Sequence, residues 1–426
     1  LHTNLVGFFV MLVGNPKVFM IGWEYPPHNS GGLGVACQGL TEALAESNTS
    51  IYFSLPYALP TQPGHMQVMT TIHPSWSAGQ SGPQTAPPFL AYAAAQPSRH
   101  VAQPASLDRY KLAQLPQSEM EQKVTQYAEL VAKSAQAHVQ DYDVLHAHDW
   151  MSFPAAIAAK AKTHKPMIAH VHSTEYDRIP NGHGSNFIMH SEYEGMMAAD
   201  KIIAVSNYTK RLLTAKYAVP SSKIEVVHNG MIFSPQVDPG AHHFAQNRQV
   251  VVFMGRLTGQ KGPEYFVQLA RHVVKQRPNV LFVMAGQGDM YQHLLLKTAE
   301  AGLSASVLFT GFVRDAQRET LLDRADVFVM PSLSEPFGLV ALEAAERHTP
   351  VIVSKNAGVS EVLPSGIAID FWDLHKMTET IVEILDNHQH RQGVVSRQLG
   401  ELHHVTWQRA ATRVNDIYRS VFAGRT

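Results

Sequence analysis

The sequence predicts an α/β protein of two doubly wound domains that face each other across an inter-domain cleft. Three observations carry this. The chain has 426 residues, and domains run to roughly 100–200 residues, so two are expected. Short apolar runs alternate with helical stretches in two separate series, which is the pattern of βαβ units and parallel sheets. A segment with prolines, a glycine and no periodicity, 233–249, lies between the series and reads as the linker.

The first series opens with a strand over Lys17–Gly22, a loop over Trp23–Ser30, the run Gly31-Gly32-Leu33-Gly34 and a helix over Val35–Glu46. Residues 56–106 are rich in Pro, Ala, Gln and Ser, a composition that cannot bury a core, and are expected to be a flexible insertion. Ser118–Glu121 reads as a capping box that starts a helix with apolar positions at Met120, Val124, Ala128, Val131, Ala135 and Val139. Strands follow at Val144–Ala147, Met167–Val171, Lys201–Val205 and Ile224–Val227, with Ser206 placed to cap the helix after the third. The second series has strands at Val250–Met254, Val280–Ala285, Val307–Thr310, Val327–Met330 and Val351–Val353. The expected domains are therefore 17–235 and 247–405, and a last helix within 406–426 is expected to cross back to the first domain.

With 45% hydrophobic residues the chain can bury two ordinary cores, and 34 basic against 35 acidic residues give a net charge of −1. That balance argues against nucleic acid or an anionic membrane as partner, since either calls for a basic excess. The single cysteine, Cys37, allows no intrachain disulfide and fits a cytoplasmic setting. The apolar stretch Leu5–Gly14 is shorter than the roughly 20 residues that span a bilayer, so no transmembrane segment is expected there. No Lys or Arg precedes it; the first ten residues read as upstream of the folded domain, with Met11 or Met20 as a candidate start.

The strongest local signal is Ser334-Glu335-Pro336-Phe337-Gly338-Leu339-Val340-Ala341-Leu342-Glu343, after an apolar strand. Gly338 and Leu339 fall near a helix N-terminus, where unsatisfied N–H groups hold phosphate and a glycine lets it approach. Glu335 and Glu343 would repel a bare phosphate but suit sugar hydroxyls on either side of one. A solvated helix with ordinary acidic residues would show the same spacing. The second signal is Gly255-Arg256-Leu257-Thr258-Gly259-Gln260-Lys261-Gly262. Arg256 and Lys261 bracket a loop that opens a helix, and two cations there stabilise the charge of a leaving diphosphate without proton transfer. Taken alone it also fits a turn with two exposed cations.

Gly31-Gly32-Leu33-Gly34 begins like a dinucleotide fingerprint but fails it, because Cys37 stands where the third glycine belongs. Gly32 and Gly34 are read instead as a phosphate-proximal loop. Gly286, in Gly286-Gln287-Gly288-Asp289, suits a tight strand-to-helix turn near the nucleotide base, or a purely structural one. The strand ends His146-Ala147-His148-Asp149-Trp150 and His170-Val171-His172-Ser173-Thr174-Glu175 point polar groups into the cleft. No carboxylate-rich cage accompanies these histidines, so no metal is expected. The pairs His242-His243 and His403-His404 lack ligand spacing as well.

Together these segments resemble family-4 glycosyltransferases of the GT-B fold, two Rossmann-like domains, in the neighbourhood of glycogen and starch synthases. The resemblance runs from Gly22–Pro27 and Gly31–Gly34 through His146–Trp150, His172–Arg178, Val205–Asn207 and His228–Gly230 to Gly255–Gly262, Ala285–Gly288, Thr310–Phe312 and Pro331–Glu343. It implies that Arg256 and Lys261 bind the donor diphosphate, Glu335 the donor sugar, Glu343 the ribose, and Gly338 and Leu339 phosphate and sugar through backbone amides. It implies that Gly32 approaches the phosphate from the first domain, that His172 lines the sugar pocket and that Asp149 lies on the acceptor side. The family retains anomeric configuration, needs no divalent metal or other cofactor, and has no agreed protein nucleophile. A front-face path, in which the leaving phosphate helps deprotonate the acceptor hydroxyl, is the usual proposal. Bacterial enzymes that use ADP-glucose resemble Lys-Thr-Gly-Gly at the first loop and tend to lack the second glutamate. Here Asn29-Ser30-Gly31-Gly32 and Glu343 stand at those places, so UDP-glucose is at least an equal expectation.

The expected activity is transfer of a hexosyl, first a glucosyl, group from a nucleotide-diphosphate sugar to a saccharide, with an α-glucan as the leading acceptor. A cell-surface polysaccharide or small-molecule acceptor, a non-catalytic nucleotide-sugar-binding protein and a nicotinamide-dependent oxidoreductase are the alternatives. The broken fingerprint counts against the last. The loop Asp177–Phe187 and the insertion are expected to shape the acceptor side, and the cleft to close about the linker on donor binding.

Overall fold

The structure is a computed structural model that describes residues 15–28, 31–72, 117–180, 182, 184–233 and 248–423. Two parallel sheets form its two α/β domains, the fold class the sequence predicts. The first sheet orders β1 (Val18–Ile21), β2 (Ile51–Leu55), β3 (Gln67–Thr70), β4 (Val144–His148), β5 (Met167–Val171), β6 (Lys201–Ala204) and β7 (Ile224–Val226) as β3-β2-β1-β4-β5-β6-β7. The second orders β8 (Gln249–Met254), β9 (Val280–Ala285), β10 (Val307–Gly311), β11 (Val327–Met330), β12 (Val351–Ser354) and β13 (Ile367–Ile369) as β10-β9-β8-β11-β12-β13. Each order reverses once, between β1 and β4 and between β8 and β11. Such switch points open a crevice at the carboxyl ends of the strands.

Helices cover both faces of each sheet, as fully apolar central strands require. On the first sheet these are α1 (Gly32–Glu46), α2 (Gln117–Ala137), α3 (Phe153–Thr163), the short α4 (Glu175–Arg178), α5 (Asn186–Ala198) and α6 (Asn207–Tyr217). On the second they are α7 (Pro263–Gln276), α8 (Tyr291–Glu300), α9 (Asp315–Arg324), α10 (Leu339–Glu346), α11 (Leu374–Asp386) and α12 (His388–Leu402). The last helix, α13 (Trp407–Ala423), packs on the first domain. Trp407, Ala410, Ala411, Val414, Ile417, Tyr418 and Val421 make the apolar stripe of a 3.6-residue period and join the core around α1 and β2. A Cβ on Gly39 would come within 2.2 Å of the Trp407 indole, so only glycine leaves room for that ring. The return is fixed where Met231 bridges Thr406 and its N–H donates to Val405 O at 3.1 Å.

Several local expectations need correction. The run Gly31–Gly34 is not a free loop. Gly31 is the N-cap of α1, and Gly32 and Gly34 lie in its first turn. Its sequence suggests a loop because glycine is a poor helix former. Helix α2 already includes Gln117, so Ser118 is not its N-cap. The segment 56–106 is not an insertion throughout: β3 lies inside it and is a strand through its pairing with β2, which its short, half-exposed sequence does not announce. The remainder of that segment, from 73 to 106, lies outside the described residues, as does most of the linker. Gln249, placed in the linker by sequence, opens β8. β2 and the three-residue edge strand β13 are additions to the strands the sequence predicts.

Across the cleft the domains are joined by polar contacts. Ser206 caps α6, taking the Thr209 N–H, and donates to Pro336 O at 2.6 Å. Glu361 accepts from the backbone N–H of Asn207 and Tyr208, from the Asn207 side chain and from His228, all at 2.8–2.9 Å. Burial alone would raise the Glu361 carboxyl, but His228 and these donors outweigh it and bring it down to about 2. A depressed carboxylate stabilises the fold fully above its unfolded pKa, near 4.5, and loses that contribution as pH falls toward 2. Glu361→Gln is therefore expected to cost about 1–2 kcal/mol near neutral pH. The gap from the parent chain in urea unfolding should shrink as pH falls below about 4.5.

Candidate active site in the cleft

The carboxyl ends of β8, β9 and β10 are laced together before any side chain is considered. Gly255 N donates to Ala285 O at 3.0 Å and Gly286 N to Gly311 O at 2.8 Å. Gly286 has φ +149°, and a Cβ there would stand 1.8 Å from Gly255 O, so the backbone demands glycine. This lacing fixes where Arg256 and Lys261 leave β8.

Lys261 ends a single 3-10 turn, Gly259–Lys261. Its ammonium lies 2.5 Å from Glu335 Oε2, and both side chains are largely buried. Gln260 ties the same two loops together, its side-chain amide donating to Ser334 O at 3.2 Å and its backbone carbonyl accepting from Leu333 N at 2.9 Å. Arg256 is steadied by Gln260 Oε1 at 3.4 Å. Glu335 is held through its backbone, with its N–H on Asn356 O and its carbonyl taking Gly358 N–H, each at 2.9 Å.

Gly338, at φ +107°, caps α10, and Leu339 is its first residue. A Cβ on Gly32 would lie 3.6 Å from Leu339 Cδ1. The N-terminus of α1 thus faces the N-terminus of α10 across the cleft. Two helix N-termini, each presenting unpaired N–H groups and the positive end of a dipole, converge with Lys261 nearby. That arrangement suits a diphosphate. Glu343 stands one turn further along α10, with Oε1 3.4 Å from Arg318 and Oε2 buried with no hydrogen bond among the described residues. Burial raises its carboxyl above the usual range, and the unpaired Oε2 is a polar atom that a ligand hydroxyl can satisfy.

The first domain contributes the ends of β4 and β5. Asp149 adopts a left-handed backbone, φ +58°, and its Oδ1 takes the N–H of His172 at 2.7 Å and of Ser173 at 3.3 Å. Burial pushes its carboxyl up to about 7, against the pull of those N–H groups and of Arg178. His146, His148, His170 and His172 stack into an array, all held neutral by burial. Nitrogens of His146, His148 and His170 lie within 4.8 Å of one another, close enough for one ion by distance. His146 and His148 are stacked at 4.4 Å, however, and near-parallel rings do not aim their in-plane lone pairs at a common point.

The structure brings Gly32, Leu339, Gly338, Lys261 and Glu335 together, and places Arg256 and Gly286 on the adjoining strand ends. Asp149 and His172 form a pair on the first domain. Sequence reasoning missed the contacts that join the halves. Ser334 donates to Asp177 Oδ1 at 2.6 Å and meets the Tyr208 hydroxyl at 2.8 Å. Asp177 also closes the capping box of α4 through Thr174. The only signal in the sequence is a serine beside Glu335, which no local pattern distinguishes.

Two family models match the chain: Glycosyltransferase Family 4 over residues 89–234 and Glycosyl transferases group 1 over 236–397. An uncharacterised glycosyltransferase of Methanocaldococcus jannaschii is 28% identical over 421 residues, 95% of this chain and 98% of that protein. Glycogen synthase of Mycobacterium tuberculosis is 26% identical over 422 residues, 96% of this chain and 95% of that one. Among solved structures, sucrose-phosphate synthase from Thermosynechococcus elongatus superposes with a TM-score of 0.73 at 19% identity, covering 96% of this chain and 100% of that one. Anabaena HepE in complex with UDP and glucose superposes at 0.69 with 17% identity, covering 95% and 100%.

Proposed function

The chain belongs to the family-4 glycosyltransferases of the GT-B fold, and from that premise we propose that it transfers a glucosyl group, with retention, from UDP-glucose or ADP-glucose to a saccharide, an α-glucan first. Membership removes the oxidoreductase alternative. The observation that carries the reading is the approach of Gly32 to Leu339, which sets two helix N-termini against each other beside Lys261. Glycogen synthase among the relatives supports a glucan acceptor. HepE with UDP and glucose supports a uridine donor.

In this proposal Arg256, Lys261 and the amides of Gly338 and Leu339 take the charge that grows on the diphosphate as the glycosidic bond breaks. Gly32 and Gly34 leave room for that phosphate on the first-domain side, and Gly286 keeps the Arg256 loop in place. Glu335 accepts hydroxyls of the sugar and Glu343 those of the ribose. His172 lines the sugar pocket. Asp149, with a carboxyl near neutrality, stands on the acceptor side. The leaving phosphate helps take the acceptor's proton, so the path uses no metal and no covalent protein intermediate. Loss of one preorganised charge contact costs about 10²–10³-fold in such chemistry.

The test is nucleotide release from UDP-glucose and from ADP-glucose, with and without maltooligosaccharide, in chelator. Glucan-stimulated release from either donor is expected. Release stimulated only by other saccharides or by small polyols would move the acceptor to the alternative class. Tight nucleotide binding with no turnover on any acceptor would favour a non-catalytic protein.

A further inference from the structure

β4 and β5 are parallel neighbours with His148 opposite His170. Residues two apart on a strand share a face, so His146 with His148, and His170 with His172, form a two-by-two block of rings. Hydrogen bonds run along two rows: His146 Nε2 to His170 Nδ1, and His148 Nδ1 to His172 Nε2, each 3.1 Å. Stacking joins the rows, His146 on His148 at 4.4 Å and His170 on His172 at 4.1 Å.

The rows differ in how they end. The first is closed at one end by Tyr418 of α13, whose hydroxyl lies 2.5 Å from His146 Nδ1, while His170 Nε2 at its other end is buried and makes no hydrogen bond among the described residues. The second is open: His148 Nε2 and His172 Nδ1 are buried and make no hydrogen bond among the described residues. A neutral imidazole carries one proton, so each ring offers one donor and one acceptor. The proton in the His148–His172 bond belongs to one ring only. Whichever ring donates leaves its outer nitrogen bare, and the other ring must then carry a proton on its outer nitrogen. The two tautomers are locked together. A buried nitrogen left without a partner costs free energy, and His172 stands just past the end of β5, its backbone N–H donating to Asp149 Oδ1 at 2.7 Å.

We propose that His148 is a positioning residue for His172, orienting its ring and fixing whether its Nδ1 donates to or accepts from a sugar hydroxyl of the donor. The assignment of that hydroxyl rests on the nucleotide-sugar reading of the cleft; the orientation of the ring does not. The stack of His170 against His172 holds the ring plane, and the His148 hydrogen bond stops its rotation within that plane. Tyr418 fixes the neighbouring row from α13, so the crossover helix also supports the block that His172 leans on.

The test uses His148→Asn, His148→Gln and His148→Leu in the full chain labelled with ¹⁵N-histidine. An asparagine amide reaches the Nδ1 position and can donate or accept, a glutamine amide overshoots it, and leucine offers nothing. His172 is assigned by loss of its signals in His172→Gln. Long-range ¹H–¹⁵N spectra are expected to show His172 Nε2 in a fixed hydrogen bond in the parent and in His148→Asn, and averaged nitrogens in His148→Gln and His148→Leu. Donor turnover should fall tenfold or more in kcat for the Gln and Leu variants, about 1.4 kcal/mol, with donor KM changed much less and most activity restored by Asn. Unchanged His172 shifts in the folded Leu variant would overturn the proposal, as would equal loss in the folded Asn and Leu variants. A parent chain with no turnover of any nucleotide sugar would defeat the functional reading alone, because the spectra still decide the positioning.

Discussion

Lys261→Ala is expected to lower kcat/KM for the nucleotide-sugar donor by about 10²–10³-fold, the range for removing one preorganised contact to developing charge. The ammonium is fixed by a single 3-10 turn and by Glu335, so it needs no reorganisation when charge appears on the leaving diphosphate. Where both side chains are largely buried, such a contact is worth more than in solvent. The substitution also leaves Glu335 buried without its cation, which destabilises the fold. A double variant, Lys261→Ala with Glu335→Gln, separates the two effects. It should recover stability in thermal unfolding without recovering turnover. A folded Lys261→Ala variant with parental kcat/KM would remove Lys261 from the donor site.

Gly286→Ala is expected to destabilise the chain by about 2–5 kcal/mol, the sum of a left-handed backbone strain and overpacking. Its added methyl would meet Gly255 O at 1.8 Å, so β8 and β9 must part at the point where Arg256 leaves the sheet. Loss of donor affinity should accompany the loss of stability. Gly302→Ala is the control, because its φ is +70° but nothing lies within 4 Å of the added carbon. It should cost about 1 kcal/mol and leave donor affinity unchanged. Urea unfolding of both variants checks the contrast.

Both predictions rest on features that the sequence displays unequally. The strand-end motifs are legible because parallel central strands are continuous apolar runs, as at Val280–Ala285, and the chain beyond each run must turn into the cleft. Gly338 and Leu339 are legible as a helix start for the same reason. The edges are not. β3 and β13 have half-exposed, short sequences whose strand state comes from a neighbour. The first turn of α1 is hidden by its glycines, which suggest a loop, and the need for glycine further along, at Gly39, shows only once the α13 tryptophan is seen to fill that space. Contacts between domains are beyond local pattern altogether. Nothing near Ser334 reveals Asp177, which lies 157 residues away in the chain. The histidines stand out in sequence one strand at a time, and the block they form exists only once β4 and β5 are adjacent.

The most direct test of retaining transfer from a nucleoside diphosphate sugar in this cleft is proton NMR of a running reaction. It tracks the anomeric signals of an α-linked nucleotide sugar and of its product together with the nucleotide released. The account predicts a new α-anomeric signal that grows in step with free nucleoside diphosphate and stays silent in Lys261→Ala. A β-linked first product, or sugar transferred without release of a nucleoside diphosphate, would contradict it.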